Sequence, residues 1–347
     1  MTDGFPRLSR RAFVSGVLVA PALVACSGGA DEEVASTTST TAVLPTTTSA
    51  PPPAAPLTGL AFSGDPAVMA RPALVVKIDN LDVPGETGRP QAGINQADVV
   101  FEERTEGGIT RLAAIFHSTD ADPVVPVRSA RLTDLHICSM LNRPLFANSG
   151  GSDGVLAALR AGNLVEIGHA TVGNDFYYRA GDRSAPHNLA TSTPTLYQLA
   201  PPEAQPPPAL FTYRAPDTPP TAGRPIAGVH VEFGGGIAQA PVDHRYDAAL
   251  AGWARFQNTT PHFDAAGMQV APKNVIVQFV DYDGTTAVLI GEGAAWVCTD
   301  GQLIEGRWSR PDPVVPTAFV DGAGSPIALS PGTTWVLLPP PGGATVL

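Results

Sequence analysis

The chain has 347 residues, of which 21 are Lys or Arg and 32 are Asp or Glu, so its formal net charge is −11 at pH 7. A chain this acidic excludes nucleic acid as the expected partner, because binding to phosphates needs clustered basic side chains. The same charge argues against electrostatic docking on anionic lipids.

The first 26 residues predict export and lipid attachment. Arg10 and Arg11 precede a bulky apolar residue, a pattern typical of a twin-arginine address. The apolar run that follows is shorter than the ~20 residues that cross a bilayer, so it indicates a cleaved signal peptide. Its end, Leu-Val-Ala-Cys26, resembles a lipobox, in which Cys26 carries diacylglycerol. The mature chain is then expected on the outer face of the cytoplasmic membrane. The alternatives are an ordinary signal peptide with a chance cysteine, or an uncleaved anchor.

Residues 27–58 are almost entirely Ser, Thr, Ala, Pro and Gly. Such a segment cannot bury enough apolar surface to offset its chain entropy, so it predicts a disordered tether.

Residues 59–205 mix strand and helix patterns. Apolar or alternating runs predict strands, and helical spacing predicts helices, one of them capped by Ser152. The expected strands span 73–78, 97–101, 110–116 and 144–148, and the expected helices span 130–141 and 154–160. An α/β or α+β N-terminal domain is therefore predicted.

The second half has a different composition. Residues 206–227 are rich in proline and predict a linker or arm between domains. Residues 228–347 hold short β-type runs separated by Gly and Asp, so a mainly β C-terminal domain is predicted. Cys138 and Cys298 fall in different predicted domains; the sequence leaves open whether they form a disulfide or remain buried thiols.

Arg128-Ser129-Ala130-Arg131 precedes the first long helix pattern. Ser129 is the expected N-cap, and a helix start with two arginines favours a carboxylate or phosphate. We expect Arg128, Ser129 and Arg131 to bind an anion together with Arg111 and Glu106. The alternative is structural, with these arginines paired to nearby glutamates.

Several acids and histidines are candidates for catalysis. Glu102 and Glu103 are adjacent on a predicted strand, so they face opposite sides and cannot act as a carboxylate pair. Either could still serve as an acid or base, or belong to an exposed acidic turn. His187 follows a proline in a polar loop, and is either a cleft residue or a hydrogen-bonded loop histidine. His262 and Asp264 are spaced to share one face of a strand, as an oriented base or half of a metal site.

No metal or cofactor is predicted. The chain lacks further clustered His or Cys near His262, and it has no P-loop, dinucleotide-binding glycine motif, G-x-S-x-G or H-E-x-x-H motif.

The chain resembles the YerB-like lipoproteins, a two-domain family of unknown function. The residues that carry the resemblance run in order through most of residues 60–340: Arg89-Pro90-Gln91-Ala92-Gly93, Glu106-Gly107-Gly108-Ile109-Thr110-Arg111, Arg128-Ser129-Ala130-Arg131, Ala185-Pro186-His187-Asn188, and Pro331-Gly332-x-Thr334-Trp335. The resemblance implies a lipoprotein with two associated domains and brings no established activity.

Two functions remain open at this point. The first is an extracytoplasmic binding protein for a wall polymer, an anionic glycan or an envelope protein. The second is an envelope hydrolase or transferase that acts on a glycan or phosphorylated glycan, which needs the candidate groups to converge in one cleft. A purely structural scaffold would show neither a cleft nor a ligand.

Overall fold

One mixed sheet of eleven strands is built from both halves of the chain. The structure is a computed structural model that describes residues 53–234, 236 and 241–347. The predicted signal peptide, Cys26 and most of the predicted tether lie outside the described residues. In the described part of the chain, no helix is long and apolar enough to cross a membrane.

The described residues form five α-helices, two short 3-10 helices (Ile94–Gln96 and Glu106–Gly108) and a larger number of strands. The α-helices are α1 (Pro66–Ala70), α2 (Leu132–Cys138), α3 (Asp153–Ala161), α4 (His169–Val172) and α5 (Thr193–Tyr197). The strands of the first half are β1 (Leu74–Asp79), β2 (Asp82–Val83), β3 (Glu86–Thr87), β4 (Val99–Arg104), β5 (Thr110–Phe116), β6 (Leu145–Ala147), β7 (Val165–Glu166), β8 (Tyr178–Arg179) and β9 (Leu189–Ala190).

The second half is almost entirely strand. Its elements are β10 (Thr212–Tyr213), β11 (Arg224–Pro225), β12 (Gly228–Val231), β13 (Val242–Asp247), β14 (Gly252–Gln257), β15 (Thr260–Pro261), β16 (Asn274–Gln278), β17 (Tyr282–Asp283), β18 (Thr286–Ala287), β19 (Gly291–Thr299), β20 (Gln302–Arg310), β21 (Ala318–Asp321), β22 (Ala328–Leu329), β23 (Thr334–Leu337) and β24 (Ala344–Val346). The predicted fold class, a mixed N-terminal region followed by a mainly β C-terminal region, is confirmed.

The large sheet has the order β11-β20-β19-β16-β23-β4-β5-β1-β6-β7, with β21 added on β20. Strand β23 lies between β16 of the second half and β4 of the first, and it runs parallel to both. The two halves are therefore joined by backbone hydrogen bonds as well as by side chains.

The two faces of the large sheet carry separate hydrophobic cores. One core contains Val76 of β1 and Leu112 of β5, and it is covered by the five-stranded sheet β15-β14-β13-β12-β24 through residues such as Trp253. The other contains Val75 and Phe101, and helices α2 and α3 contribute Ile137 and Leu159 to it. This alternation follows from the two-residue period of a strand.

Both predicted linkers are partly packed. Leu57 is fully buried in the core on the helical face, and the Tyr213 hydroxyl donates to its carbonyl oxygen at 2.5 Å. The end of the predicted tether is therefore packed against the fold, because Leu57 occupies an apolar site there. In the Pro-rich segment, Leu210 is buried, β10 pairs with β22, and β11 pairs with β20. This segment is an arm laid along the second half.

Cys138 and Cys298 are both free and fully buried. Burial raises the pKa of each thiol, well above its ordinary value for Cys138. Both behave as small apolar side chains rather than as reactive thiolates.

Candidate functional site

Three arginines meet where β1 ends and β5 begins. Arg111 of β5 donates from Nη1 to the carbonyl oxygen of Ser129 at 3.1 Å. Arg131 donates from Nη1 to the carbonyl oxygen of Ala130 at 2.8 Å and approaches that of Ser129 at 3.5 Å. Arg128 Nε lies 3.0 Å from Oδ2 of Asp79, which is the register partner of Arg111 across the two strands.

Two carboxylates accompany these three guanidinium groups. Asp79 is paired with Arg128, and Glu106 accepts from Nη2 and Nε of Arg131 at 2.6 and 2.9 Å. We name Arg111, Arg128, Arg131, Asp79 and Glu106 the arginine cluster. The cluster holds three positive and two negative groups. The sequence allowed either an anion-binding site or arginines paired with acids, and the structure shows features of both: the arginines converge, and two of them are paired with carboxylates.

The buried member of the arginine cluster is Arg111, which is 6% exposed. Burial, together with the nearby positive charges of Arg131 and Arg128, lowers its pKa to about 10. Its Nε has no hydrogen-bond partner among the described residues. For Glu106, burial acts against ionisation, but the hydrogen bond from Arg131 lowers its pKa overall. A buried guanidinium flanked by like charges favours an additional anion.

The prediction that Ser129 caps the helix is wrong. Helix α2 begins at Leu132, Arg131 occupies the N-cap position, and Asp134 accepts from the Arg131 N–H at 2.7 Å. Ser129 lies in an extended segment held on both sides, because the N–H of Arg128 donates to Lys77 and that of Ala130 donates to Gly150, each at 2.8 Å. Ser129 therefore does not occupy the N-cap of the helix.

His187 adjoins the arginine cluster. Its Nδ1 lies 2.5 Å from Oδ2 of Asp79, the oxygen that also faces Arg128. Its Nε2 lies 2.8 Å from Oε1 of Glu86 on the β2–β3 hairpin. His187 forms part of the wall of a cleft of about 670 Å³, along with Glu86 and Arg183. The loop that carries this histidine therefore brings it to an open surface next to the cluster.

Glu102 and His262 lie in the interior instead. Both carboxylate oxygens of Glu102 accept from Nη2 of Arg255, at 2.8 and 2.9 Å. Nη1 of Arg255 donates to Nδ1 of His262 at 2.6 Å, and Nε2 of His262 donates to Gln91 at 2.7 Å. All four side chains are fully buried beneath the five-stranded sheet. They connect the two halves of the chain and have no access to a substrate.

The expected pairing of His262 with Asp264 on a strand is wrong. Strand β15 ends at Pro261, and Asp264 lies in a turn, where it accepts from the N–H groups of Ala266 and Met268, each at 2.9 Å. The carboxylate is occupied by this turn and by the side-chain amide of Asn95 at 2.8 Å. Because the Asp264 carboxylate stabilises this turn, it is not aligned with His262 as the i, i+2 spacing predicted.

Glu103 occupies the opposite face of the large sheet from Glu102, as the strand alternation predicts. It is fully buried and contacts Nζ of Lys77, which also lies 2.8 Å from Oδ1 of Asp134. The structure thus places the five candidate catalytic residues at four separate locations: the Glu102–His262 network, the Glu103 site, the Asp264 turn and the His187 cleft.

Sequence reasoning missed Asp79, Lys77, Asp134 and Arg255. A signal was present for two of them, because Lys77 and Asp79 interrupt or end a strand that is otherwise apolar and buried. A charged residue within such a strand needs a partner in the interior. Asp134 and Arg255 carry no comparable local signal.

Buried histidines make the fold sensitive to acid. Burial lowers the pKa of His117 to about 4 and holds the pKa values of His244 and His262 well below their ordinary range. An unfolded histidine titrates near pH ~6.5, so below that pH the unfolded chain binds more protons. Burial also lowers the pKa of His136, so four histidines act in this sense. Three groups act in the opposite sense: Glu103, as a free carboxyl, and Asp98, whose pKa values burial raises (that of Glu103 to about 7), and His230, whose pKa is raised by its hydrogen bonds to Asp243 and Glu232.

We therefore expect the melting temperature to fall as the pH is lowered from 7 to 5, and the decrease to be smaller in His262→Gln. Differential scanning calorimetry across this range measures both. A melting temperature that is constant or rises towards pH 5 would contradict the assignment of these histidines as neutral.

Comparison with known proteins identifies relatives over most of the chain. Residues 57–205 match the family model described as protein of unknown function (DUF3048) N-terminal domain, and residues 229–336 match that of the C-terminal domain. The chain is 28% identical over 299 residues to the candidate lipoprotein YerB of Bacillus subtilis (strain 168), covering 82% of this chain and 86% of that protein.

The fold is similar to a solved structure as well. The crystal structure of YerB from Bacillus subtilis superposes with a TM-score of 0.72 at 26% identity, covering 85% of this chain and 99% of the other. The two family models together cover most of the described residues, and strands from both matched ranges share one sheet. The chain therefore belongs to the YerB-like family of two-domain proteins of unknown function (DUF3048).

Proposed function

We propose that this protein is an extracytoplasmic, lipid-anchored protein that binds an anionic component of the cell envelope. The lipobox pattern at Cys26 and the description of its relative YerB as a candidate lipoprotein support the anchor. Diacylglycerol on Cys26 holds the chain at the outer face of the membrane, and residues 27–52 provide the reach towards the wall. No nucleic acid is involved, in keeping with the acidic composition.

The observation that carries the binding function is the arginine cluster. Three guanidinium groups face two carboxylates, and the Nε of buried Arg111 has no hydrogen-bond partner among the described residues. The fork of arginine donors suits the paired oxygens of a phosphate or carboxylate. An anionic glycan or wall polymer carries such groups in a repeating array, so one well-placed cluster can engage many positions along it.

A second candidate is a hydrolase or transferase acting on a glycan or phosphorylated glycan. It is favoured by one arrangement, the Asp79–His187 pair beside the 670 Å³ cleft, in which a carboxylate orients an imidazole. The other candidate acids do not reach this cleft: Glu102 and Glu103 are fully buried on opposite faces of the sheet. Binding an anion needs only the arginine cluster, whereas catalysis needs further acids in the cleft. We therefore place the binding function first.

The double variant Arg128→Gln/Arg131→Gln tests the binding function. Each charge-assisted hydrogen bond contributes about 1.5–3 kcal/mol, so we expect affinity for a purified anionic wall polymer to fall at least tenfold. Affinity of the unaltered protein should also fall as salt is added. Isothermal titration calorimetry on the full chain measures both quantities.

The matched control is Arg224→Gln/Arg307→Gln, which removes the same charge from two exposed pairs with Glu305 and Glu292. This control should bind as the unaltered protein does. If both double variants bind the polymer equally weakly, net charge alone explains the loss, and a specific site is contradicted. If Arg128→Gln/Arg131→Gln still binds the polymer, the site lies elsewhere.

A further inference from the structure

Lys77, Glu103 and Asp134 form a buried triad on the helical face of the large sheet. Lys77 lies on β1, Glu103 on β4 and Asp134 in the first turn of α2, and each side chain is 0% exposed. Nζ of Lys77 contacts Oε1 of Glu103 and lies 2.8 Å from Oδ1 of Asp134. One amine therefore touches two carboxyl groups in a site without access to solvent.

The charges of this triad do not balance if all three groups are ionised. One ammonium and two carboxylates leave a net negative charge in the interior, which is strongly unfavourable. Burial raises the pKa of Glu103 to about 7, with Lys77 opposing and Asp134 reinforcing the shift. Asp134 accepts from the N–H of Arg131 at 2.7 Å through its second oxygen, so this carboxyl is fixed with Oδ1 facing Lys77. Glu103 therefore offers the carboxyl carbon and Asp134 an oriented acceptor for a proton.

Glu103 also has an oxygen with no hydrogen-bond partner. Its Oε2 is buried and has no partner at hydrogen-bonding geometry among the described residues, although the Thr133 hydroxyl lies near enough to favour ionisation of the carboxyl. A carboxyl oxygen without a partner is unfavourable in such a site, because the hydration it has lost is not replaced. If Glu103 lost one carboxyl oxygen as water, both the unpartnered acceptor and the buried charge of Glu103 would disappear.

We propose that Lys77 and Glu103 are joined by an isopeptide bond, formed within the folded chain between Nζ and the side-chain carboxyl carbon of Glu103, with Asp134 as the base. The bond would link β1 to β4 across the intervening strand β5. It is independent of the proposed binding function, since none of the three side chains reaches the surface.

The reaction balances without any further reactant. Lys77 first transfers one ammonium proton to Glu103, which gives a neutral amine and a neutral carboxylic acid. The amine lone pair attacks the carboxyl carbon, forming the N–C bond and moving the carbonyl electron pair onto oxygen. Asp134 removes the proton from Nζ and passes it to the departing hydroxyl, the C–OH bond breaks, and one water molecule leaves. Nothing is oxidised or reduced, and Asp134 ends as it began.

The fold supplies the conditions that such a condensation needs. Proximity within a packed interior replaces the activation that an amine and a carboxylic acid require in water. A site of low polarity favours the neutral reacting pair over the ion pair. The product water leaves a buried site, so the reverse hydrolysis lacks its reactant.

Peptide mapping of the full chain tests the proposal. Trypsin cuts after free lysine and not after acylated lysine. We expect the unaltered protein to yield a peptide that contains both Lys77 and Glu103, uncut after Lys77, and lighter than its sequence by one water molecule. Fragmentation should locate the link at these two residues. Lys273, which forms a partly exposed ion pair with Asp300, is the internal control and should be cut normally.

Two variants complete the experiment. Lys77→Arg should be cut after residue 77 and show no loss of water. Asp134→Asn preserves the shape of the base and removes its function, so most of its chains should remain unlinked. An unaltered protein that is cut after Lys77 at full mass would overturn the proposal whatever the variants do. A link from Lys77 to Asp134 would overturn the assignment of Glu103 as the acyl group.

Discussion

Replacing Arg255 with methionine is expected to lower the free energy of unfolding by about 3–5 kcal/mol. Arg255 is fully buried and binds both oxygens of Glu102 and Nδ1 of His262. Methionine fills much of the same space but leaves the Glu102 carboxylate without its cation in the interior. Urea denaturation followed by circular dichroism measures the loss.

The control for Arg255→Met is Arg307→Met. Arg307 also pairs with a glutamate, but both side chains are more than half exposed, so the expected loss is about 0–1 kcal/mol. Adding Glu102→Gln to Arg255→Met should recover part of the stability, because the orphaned charge is then gone. A loss below about 1 kcal/mol for Arg255→Met would show that the interior pair does not hold the two halves together.

Replacing Trp335 with alanine is expected to cost about 3–5 kcal/mol. Trp335 is 3% exposed on β23, and its ring packs against the His244 and His262 rings at centroid distances of 5.8 and 6.5 Å. The Arg255 guanidinium lies 5.1 Å from the centre of the same ring. The substitution leaves a large cavity between the two sheets and removes a support of the Arg255 network.

Because β23 pairs with both β4 and β16, we expect Trp335→Ala to weaken both halves at once. Hydrogen exchange should show equal loss of protection in β4 and β16. Leu250→Ala is the control, since Leu250 is 46% exposed and its truncation should change stability by less than about 0.5 kcal/mol. Protection that is lost in only one half would mean that the halves unfold independently.

Local pattern was sufficient for most of the first half. The apolar run before Asp79 predicts β1, and the alternation from Thr110 to Phe116 predicts β5 with correct bounds. Ser152 caps α3 as predicted, its hydroxyl accepting from the N–H of Val155 at 3.4 Å. These elements are determined by neighbours in sequence, through side-chain periodicity and capping.

The remaining features depend on residues far apart in the chain. The partner of Glu102 is Arg255, 153 positions away, and no spacing rule reaches that distance. The helix near Ser129 starts two residues later than expected, because strand contacts hold Arg128 and Ala130 extended. Arg128, Ser129 and Arg131 are recognisable as one group because they are adjacent in sequence. Asp79, which pairs with Arg128 and lies opposite Arg111, is identified only by the strand register.

The position of β23 has a consequence for how such proteins can be assembled and inherited. Strand β4 is synthesised more than 200 residues before the strand that completes its hydrogen bonding, so during synthesis it presents an unpaired edge. Folding that depends on pairing this distant in sequence is slow, and an open edge invites wrong partners. We therefore expect neither half to fold when it is transplanted as an independent module. Recombination that joins halves from different relatives must preserve the pairing of β4 with β23, so we expect the two halves to evolve as one unit.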